Sequence, residues 1–408
     1  MTWTKRRWSA LIGIACLSIA ACTGSDDQAS KTAPDRTEVE SAESNDEEWR
    51  EGVDTLACLP LQPEGWTELE DLSLPTDIVL MASNDAHIVA IGRGADGDDA
   101  SFHHSVDGLT WEQTDGVPGL SFRGPEVALA GGPNGFVVVG AAPPNMPLVA
   151  FSSDGTNWEL IGPEGLPNSE NAWFATVVAG ADGFLVLGTG ADPGSSTFIW
   201  HSDEGRSWTA AELPDLADGP ATVTATDGGW VLLAANMDDF QGAAAAEVWT
   251  SNDGLQWTQV DTESAPLSAA LFLYSGTAPL LAEGDTWMLA ATGELIGLPS
   301  RPIVWVTTDG GVTWNEQAVT ELSWGEYGLT GTATTDLGFM LAGEHGTIVA
   351  PDGEEHQHGF VHYSTDGVEW AHCWTSANVL GPIQPFGDNL VLHDSTFGDT
   401  YTWTDSAD

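Results

Sequence analysis

Six times in this chain a short turn returns: a hydroxyl residue, one spacer, an acid, a glycine, and a tryptophan a few positions on. The first copy reads Ser105-Val106-Asp107-Gly108-Leu109-Thr110-Trp111. The others run from Ser152 to Trp158, Ser202 to Trp208, Ser251 to Trp257, Thr307 to Trp314 and Ser364 to Trp370, with Asp154, Glu204, Asp253, Asp309 and Asp366 as their acids. Successive tryptophans lie 47, 50, 49, 57 and 56 residues apart. Self-similarity at that period points away from a single enzyme core and toward stacked supersecondary units, a propeller or a solenoid.

The local chemistry predicts what each copy does. Short apolar, β-branched or aromatic runs stand before it, such as Ile303-Val304-Trp305-Val306, and after it, such as Trp257 to Val260. Two strand-like runs joined by an Asp-Gly turn are the strongest short-range hairpin signal a sequence offers. The acid can accept bonds from the turn's own backbone N–H groups, the hydroxyl can add another, and glycine supplies a positive φ. The tryptophan then returns a large apolar area to the sheet, where its indole N–H needs a partner. These acids therefore read as fold staples rather than catalysts.

A second repeat sets the number of units. Between the acid–glycine turns lies another turn followed by an apolar strand: Gly135-Phe136-Val137-Val138-Val139, Gly183-Phe184-Leu185-Val186-Leu187, Gly229-Trp230-Val231-Leu232-Leu233, Trp287-Met288-Leu289-Ala290 and Gly338-Phe339-Met340-Leu341-Ala342. Weaker copies begin at Asn84 and Gly387, which makes seven inner hairpins against six acid–glycine turns. Trp66 to Leu69 has the look of an outermost strand with no unit before it, and Thr400 to Thr404 of a third strand with nothing after it. Pairing them completes a seventh unit and protects the sheet edges. The predicted fold is all-β: a seven-bladed β-propeller of four-stranded blades, closed by a strand near Trp66 against strands near Trp403. Residues 58–408 then give about 50 residues to a blade.

The turn resembles the BNR or Asp-box repeat of sialidase-like β-propellers, where it joins the third and fourth strands of a blade. The Thr307 to Trp314 copy is the fullest match, and Glu204 departs from the pattern. That resemblance implies the propeller; its members include hydrolases, assembly factors and binding modules, so it leaves function open.

The first 22 residues hold Lys5, Arg6 and Arg7, then the apolar run Ala10 to Ala20, then Ile19-Ala20-Ala21-Cys22. This is the pattern of a secretory leader, too short to span a membrane as a helix. Its end resembles the bacterial lipobox, which implies cleavage after residue 21 and lipid on Cys22; an ordinary leader cleaved nearby is the alternative. Residues 22–57 contain eleven acids and few apolar side chains and read as an acidic, disordered tether. An address in the cell envelope, facing outside the cytoplasm, is oxidising, so Cys58 and Cys373, which closure would bring to adjacent blades, are expected to pair as a disulfide. Formal net charge is −51. Beyond residue 58 there are 50 acids and four arginines, a field that repels phosphate backbones and makes nucleic acid a poor partner.

In a propeller both hairpin types share one rim, so ligand-facing loops belong to the opposite one. Three of the four arginines map there: Arg93 after the second strand of blade 1, Arg123 in Phe122-Arg123-Gly124-Pro125 between blades 1 and 2, and Arg301 in a blade 5 loop. They are candidate ligand-binding residues with Tyr327; the plainer alternative pairs each arginine with a nearby carboxylate. Sialidases hold a substrate carboxylate with three arginines and attack through a tyrosine activated by a glutamate, for which Glu326-Tyr327 would serve. The family's leading arginine, however, falls where this chain reads Thr76-Asp77-Ile78. In blade 6, Glu354, His356 and His358 could bind a divalent metal such as zinc or copper, since alternate residues of an extended segment face one side. No other cofactor is implied. The expected function is a lipid-anchored, monomeric binding or scaffold module for a protein or glycan, with a glycoside hydrolase as the alternative; propeller assembly factors of photosystem II are similar only through fold.

Overall fold

A computed structural model describes residues 66–68, 78–94, 99–122, 127–142, 146–162, 165–167, 172–190, 197–213, 221–235, 245–266, 279–292, 302–319, 327–335, 338–349, 355–376, 380–387, 389–394 and 400–404. All belong to one compact unit, Trp49–Asp408. The leader, Cys22, the acidic segment and Cys58 lie outside the described residues.

Seven four-stranded antiparallel sheets form the blades of a seven-bladed β-propeller. Blade 1 holds β2 (Ile78–Ser83), β3 (Ile88–Arg93), β4 (Ala100–Ser105) and β5 (Glu112–Thr114). Blade 2 holds β6 (Ala128–Gly132), β7 (Gly135–Ala142), β8 (Met146–Ser152) and β9 (Glu159–Ile161). Blade 3 holds β10 (Ala172–Gly180), β11 (Gly183–Gly190), β12 (Thr197–Ser202) and β13 (Thr209–Ala210). Blade 4 holds β14 (Ala221–Thr226), β15 (Gly229–Ala234), β16 (Glu247–Ser251) and β17 (Thr258–Gln259). Blade 5 holds β18 (Leu280–Glu283), β19 (Thr286–Thr292), β20 (Pro302–Thr307) and β21 (Asn315–Ala318). Blade 6 holds β22 (Tyr327–Thr335), β23 (Gly338–Val349), β24 (Glu355–Ser364) and β25 (Ala371–Ser376). Blade 7 takes β26 (Leu380–Phe386), β27 (Asn389–Asp394) and β28 (Thr400–Thr404) from the end of the chain, and its outermost strand, β1 (Trp66–Glu68), from the beginning.

The closure follows the expectation: β1 runs antiparallel to β28 with Trp66 opposite Trp403. Innermost strands complete the ring, each touching the next from β2 through β6, β10, β14, β18, β22 and β26 back to β2. Across the 7–1 seam Ser83 Oγ donates to the Pro385 carbonyl at 2.6 Å and Gln384 Nε2 donates to Ser83 Oγ at 2.9 Å.

The apolar core sits between blades. Each of the seven hydrophobic clusters draws on two neighbouring blades; Phe151 and Val137 of blade 2 pack with Phe184, Trp200 and Trp208 of blade 3, and Ile78, Ile88 and Trp111 of blade 1 pack with Phe386 and Val391 of blade 7. A second strand thus has a neighbouring blade on both faces, which is why Val137-Val138-Val139 and Leu185-Val186-Leu187 are continuous apolar runs instead of alternating ones, every residue fully buried.

One register is constant. The residue following the inner turn always faces the hydroxyl of the acid–glycine turn: Ile88 with Ser105, Phe136 with Ser152, Phe184 with Ser202, Trp230 with Ser251, Trp287 with Thr307, Phe339 with Ser364. Gly135, just before that aromatic, has φ +133°, and a Cβ there would lie 2.2 Å from the Ser152 carbonyl oxygen. Blade 7, which has no acid–glycine turn, departs from this frame: its equivalent residue, Leu390, is opposite Trp403.

Candidate functional site

The two rims differ in what holds them. On the first rim, each aspartate gathers its own turn: Asp107 Oδ1 accepts from the N–H groups of Leu109 and Thr110 at 2.8 and 2.7 Å and from Ser105 Oγ at 2.9 Å. Desolvation pushes this carboxyl upward, but the bonds from Thr110, Leu109 and Ser105 outweigh it and hold Asp107 well below the usual carboxylate range. Asp154, Asp253, Asp309 and Asp366 are lowered by the same kind of bonding. In the third copy, Gly205 N–H still donates to Ser202 Oγ at 2.8 Å, while among the described residues the longer Glu204 makes none of the turn bonds that the aspartates make.

The tryptophans complete these turns by a route the sequence left open. Trp111, Trp257, Trp314 and Trp370 donate their indole N–H to the carbonyl of their own turn glycine at 2.9 to 3.2 Å. The buried indole nitrogens of Trp158 and Trp208 have no partner among the described residues. The turns also join the blades. A Cβ on Gly205 would meet Phe151 of blade 2 at 2.4 Å, one on Gly155 would meet Val89 of blade 1 at 2.4 Å, and one on Gly108 would meet Phe386 and Val391 of blade 7 at 3.3 Å. Arg206 reinforces the blade 2–3 joint, its guanidinium 3.9 Å from the Phe151 ring centroid and its Nε 3.0 Å from Glu159 Oε2. These residues are committed to the ring. A cleft of about 250 Å³ on this rim, between blades 4 and 5, is lined by Asp227, Asp285 and Asn252 with the buried indoles of Trp230 and Trp287.

The opposite rim carries the candidate ligand groups. Arg93 ends β3, is exposed, and lies 5.9 Å from the centroid of Phe122, a cation–π geometry. Phe122 is positioned by its neighbour Ser121, which bridges to both Asp99 and Ala141 and so stitches the blade 1–2 connection to both blades. Among the described residues the partner of Arg93 is this aromatic face, and no carboxylate pairs with it. Two large apolar side chains are exposed at the same rim on the next blades, Met146 at the start of β8 (58%) and Trp173 at the start of β10 (44%). The other exposed large apolar side chains, Val106, Leu109, Val368 and Leu160, lie in acid–glycine turns or on an outermost strand.

Arg123, Arg301, Glu326 and Glu354 lie outside the described residues. Tyr327, His356 and His358 are placed by strand register. Tyr327 begins β22 opposite His345 of β23, and His345 is in turn opposite His358 of β24. His356 faces Ile348, and a register shift separates the two pairs. Among the described residues no group of three or more His, Cys, Asp or Glu could hold a metal. Ile78 opens β2 fully buried, one position past the place where a sialidase-like leading arginine would stand.

His345, Phe122, Met146 and Trp173 were missed in the sequence. For His345 a signal exists: counting six residues outward along both strands from the Phe339–Ser364 pair reaches His345 and His358 together. Phe122 had none, because its position depends on a bridge between two blades.

Cys373 is fully buried and disulfide-bonded. Its expected partner, Cys58, lies outside the described residues.

No family model matches the chain, and no curated protein does. Solved structures similar to it are β-propellers. A YCF48 protein bound to a D1 peptide has a TM-score of 0.51 at 15% identity over 83% of this chain and 95% of that one. A polysaccharide lyase, an ulvan lyase, has a TM-score of 0.47 at 10% identity over 83% and 95%. A subtype N11 neuraminidase-like protein of A/flat-faced bat/Peru (H18N11) has a TM-score of 0.40 at 9% identity over 83% and 93%. At these identities the likeness shows the fold alone.

Proposed function

We propose that this chain is an extracytoplasmic, lipid-anchored β-propeller of the BNR/Asp-box kind that binds a protein or glycan through the rim opposite its acid–glycine turns. The observation that carries the reading is the company kept by Arg93: an exposed guanidinium set over Phe122 at a rim that also exposes Trp173 and Met146 on the following blades. Arginine, tryptophan and methionine are the residue types enriched where proteins meet partners. The repeated aspartates, by contrast, are spent on their own turns and are not free for chemistry. The YCF48 propeller solved with a D1 peptide is a fold-level analogy for a peptide-binding propeller and adds no residue correspondence.

The anchor rests on Cys22 and the leader before it, and the pairing of Cys373 with Cys58 would tie the segment before β1 to blade 6 beside the closing blade. A loop closed between residues so far apart in the chain stabilises by about 2–4 kcal/mol. Radiolabelled palmitate should be incorporated into the wild type, and Cys22→Ser should lose the label and release the protein from membranes; label retained on Cys22→Ser would contradict the anchor.

Glycoside hydrolysis is the competing reading. Incubation with a panel of fluorogenic sialosides and other glycosides separates the two. The binding reading expects no turnover above buffer, and turnover abolished by Tyr327→Phe or Arg123→Ala would replace it with a sialidase-like enzyme.

A further inference from the structure

We propose that the cleft between blades 4 and 5, on the rim of the acid–glycine turns, takes the side chain of a lysine or arginine from a basic peptide. The inference does not depend on what the opposite rim binds. The cleft has a volume of about 250 Å³, and its lining includes Thr226, Asp227, Asp285 and Trp287. It opens where the repeat is broken. The last residue of the innermost strand is Gly132 in blade 2 and Gly180 in blade 3, and the aromatic of the next blade closes over it: a Cβ would lie 3.3 Å from the Phe184 ring and 3.1 Å from the Trp230 ring. Blade 4 ends that strand on Thr226, a side chain where the other two have none, and at this joint Trp287 borders a cleft instead of closing one.

The lining selects a cation with an acceptor beside it. Asp227 and Asp285 are exposed, and among the described residues neither carboxylate is hydrogen-bonded or ion-paired, whereas the turn aspartate Asp253 accepts from Leu255 and Gln256 N–H. No described cation answers them: lysine is absent beyond residue 31, Arg93 lies in blade 1, and Arg206 is held by Glu159 and Phe151. Trp287 is only 9% exposed, yet its indole Nε1 has no acceptor among the described residues. Its Cζ3–Cε3 edge faces Gly311, 3.1 and 3.6 Å from where a Cβ would lie, which leaves the pyrrole edge and Nε1 for the cleft. A buried N–H without a partner is costly until a ligand accepts from it. A basic residue within a peptide meets both demands. Its ammonium or guanidinium pairs with the carboxylates beside an indole ring, and a peptide carbonyl accepts from Nε1. The volume, under the roughly 300–1,000 Å³ of sites for drug-sized ligands, suits one side chain. The chain's −51 charge draws basic peptides toward the surface, a gain that a neutral glycan does not share.

Calorimetric titration of the full protein with the peptide acetyl-Gly-Gly-Lys-Gly-Gly-amide tests the site, in about 0.2 M NaCl to screen the diffuse field of the surface. We expect one saturable site, lost when the lysine is Nε-acetylated and so made neutral. Asp227→Asn and Asp285→Asn should each weaken binding about two- to fivefold, the range of an exposed charge pair. Both variants should fold, because asparagine shares the turn preference of aspartate. A control that removes two exposed charges elsewhere on the rim, Asp182→Asn with Glu369→Gln, should leave the affinity unchanged. Equal affinity for the acetylated peptide, no loss in either cleft variant, or an equal loss in the control pair overturns the proposal. So does tighter binding of maltotriose than of the lysine peptide, which would make the cleft a glycan site.

Discussion

The rim that carries the acid–glycine turns and the rim opposite it are the two ends of the same strands, yet one is periodic and the other is not. On the first, the same bonds recur at Asp107, Asp154, Asp253, Asp309 and Asp366, and the turn glycine of one blade presses on the blade before it. On the second, among the described residues, Arg93 with Phe122 and the exposed Trp173 each occur once. Repetition marks what the ring needs from blade to blade; singular features mark what the ring does not need. That difference assigns stability to one rim, outside the cleft between blades 4 and 5, and recognition to the other, and each prediction below is a way to break or sharpen it.

The largest effect should come from removing β1. A chain beginning after residue 70 leaves β28 as an open edge, loses the Trp66–Trp403 pairing and loses Cys58. With Cys58 as the proposed partner of Cys373, loss of that disulfide alone would cost roughly 2–5 kcal/mol, and denaturant unfolding should show a loss of at least that size. Size-exclusion chromatography should show self-association through the bared edge. A truncated protein as stable and monomeric as the full one would mean that closure is not what holds the ring.

Next in size is Gly205→Ala. The residue has φ +78°, and its new methyl would lie 2.4 Å from Phe151 Cδ2 in the neighbouring blade. Backbone strain and overpacking each cost about 1–3 kcal/mol, and thermal melts should fall accordingly. A null effect would show that the turns do not bear on adjacent blades.

A gentler effect should follow pH. Burial, with a smaller contribution from the nearby His372, lowers the His362 imidazole to about 3, below the value of about 6.5 it has when unfolded. Its contribution to stability is complete above pH 6.5 and is lost as pH falls from there toward 3, because the unfolded chain takes up a proton that the folded chain refuses. His103 is lowered by burial in the same direction. The turn aspartates act in a second window: their folded values are depressed, so their contribution is present above about pH 4 and disappears below it. Melting at constant ionic strength should therefore decline between pH 6.5 and 5, before carboxylates titrate, and His362→Phe should flatten that segment. A flat wild-type profile there would remove the buried histidines from the account.

The smallest predicted change is a gain. Glu204→Asp should restore the turn bonds seen at Asp154 and raise stability by about 0.5–1.5 kcal/mol, the net worth of an ordinary hydrogen bond. Destabilisation by that substitution would show that the third turn uses its acid differently from the rest.

Most of the fold was legible because its signals are local. Asp-Gly and Asn-Gly turns fix the hairpins, and the period between tryptophans counts the blades. Closure was legible because Trp66 has no partner strand nearby in sequence and Thr400 to Thr404 reads as a third strand with no fourth after it. The binding rim was less so. Arg93 could be placed on its rim from the strand order, but its aromatic partner Phe122 is set by Ser121 bridging two blades, a tertiary contact with no local mark. The indole N–H bonds to turn glycines also follow from three-dimensional geometry that the repeat does not spell out.

A matched pair of substitutions tests the division of labour most directly. Asp154→Ala removes a carboxylate that accepts from Thr156 and Asn157 N–H and from Ser152 Oγ, while Arg93→Ala removes a guanidinium stacked on Phe122 at the other rim. Measured by denaturant unfolding under identical conditions, Asp154→Ala should cost about 1–3 kcal/mol, and Arg93→Ala should stay within about 0.5 kcal/mol of wild type. An Arg93→Ala loss equal to or larger than that of Asp154→Ala would contradict the account, because the opposite rim would then be part of what holds the ring together.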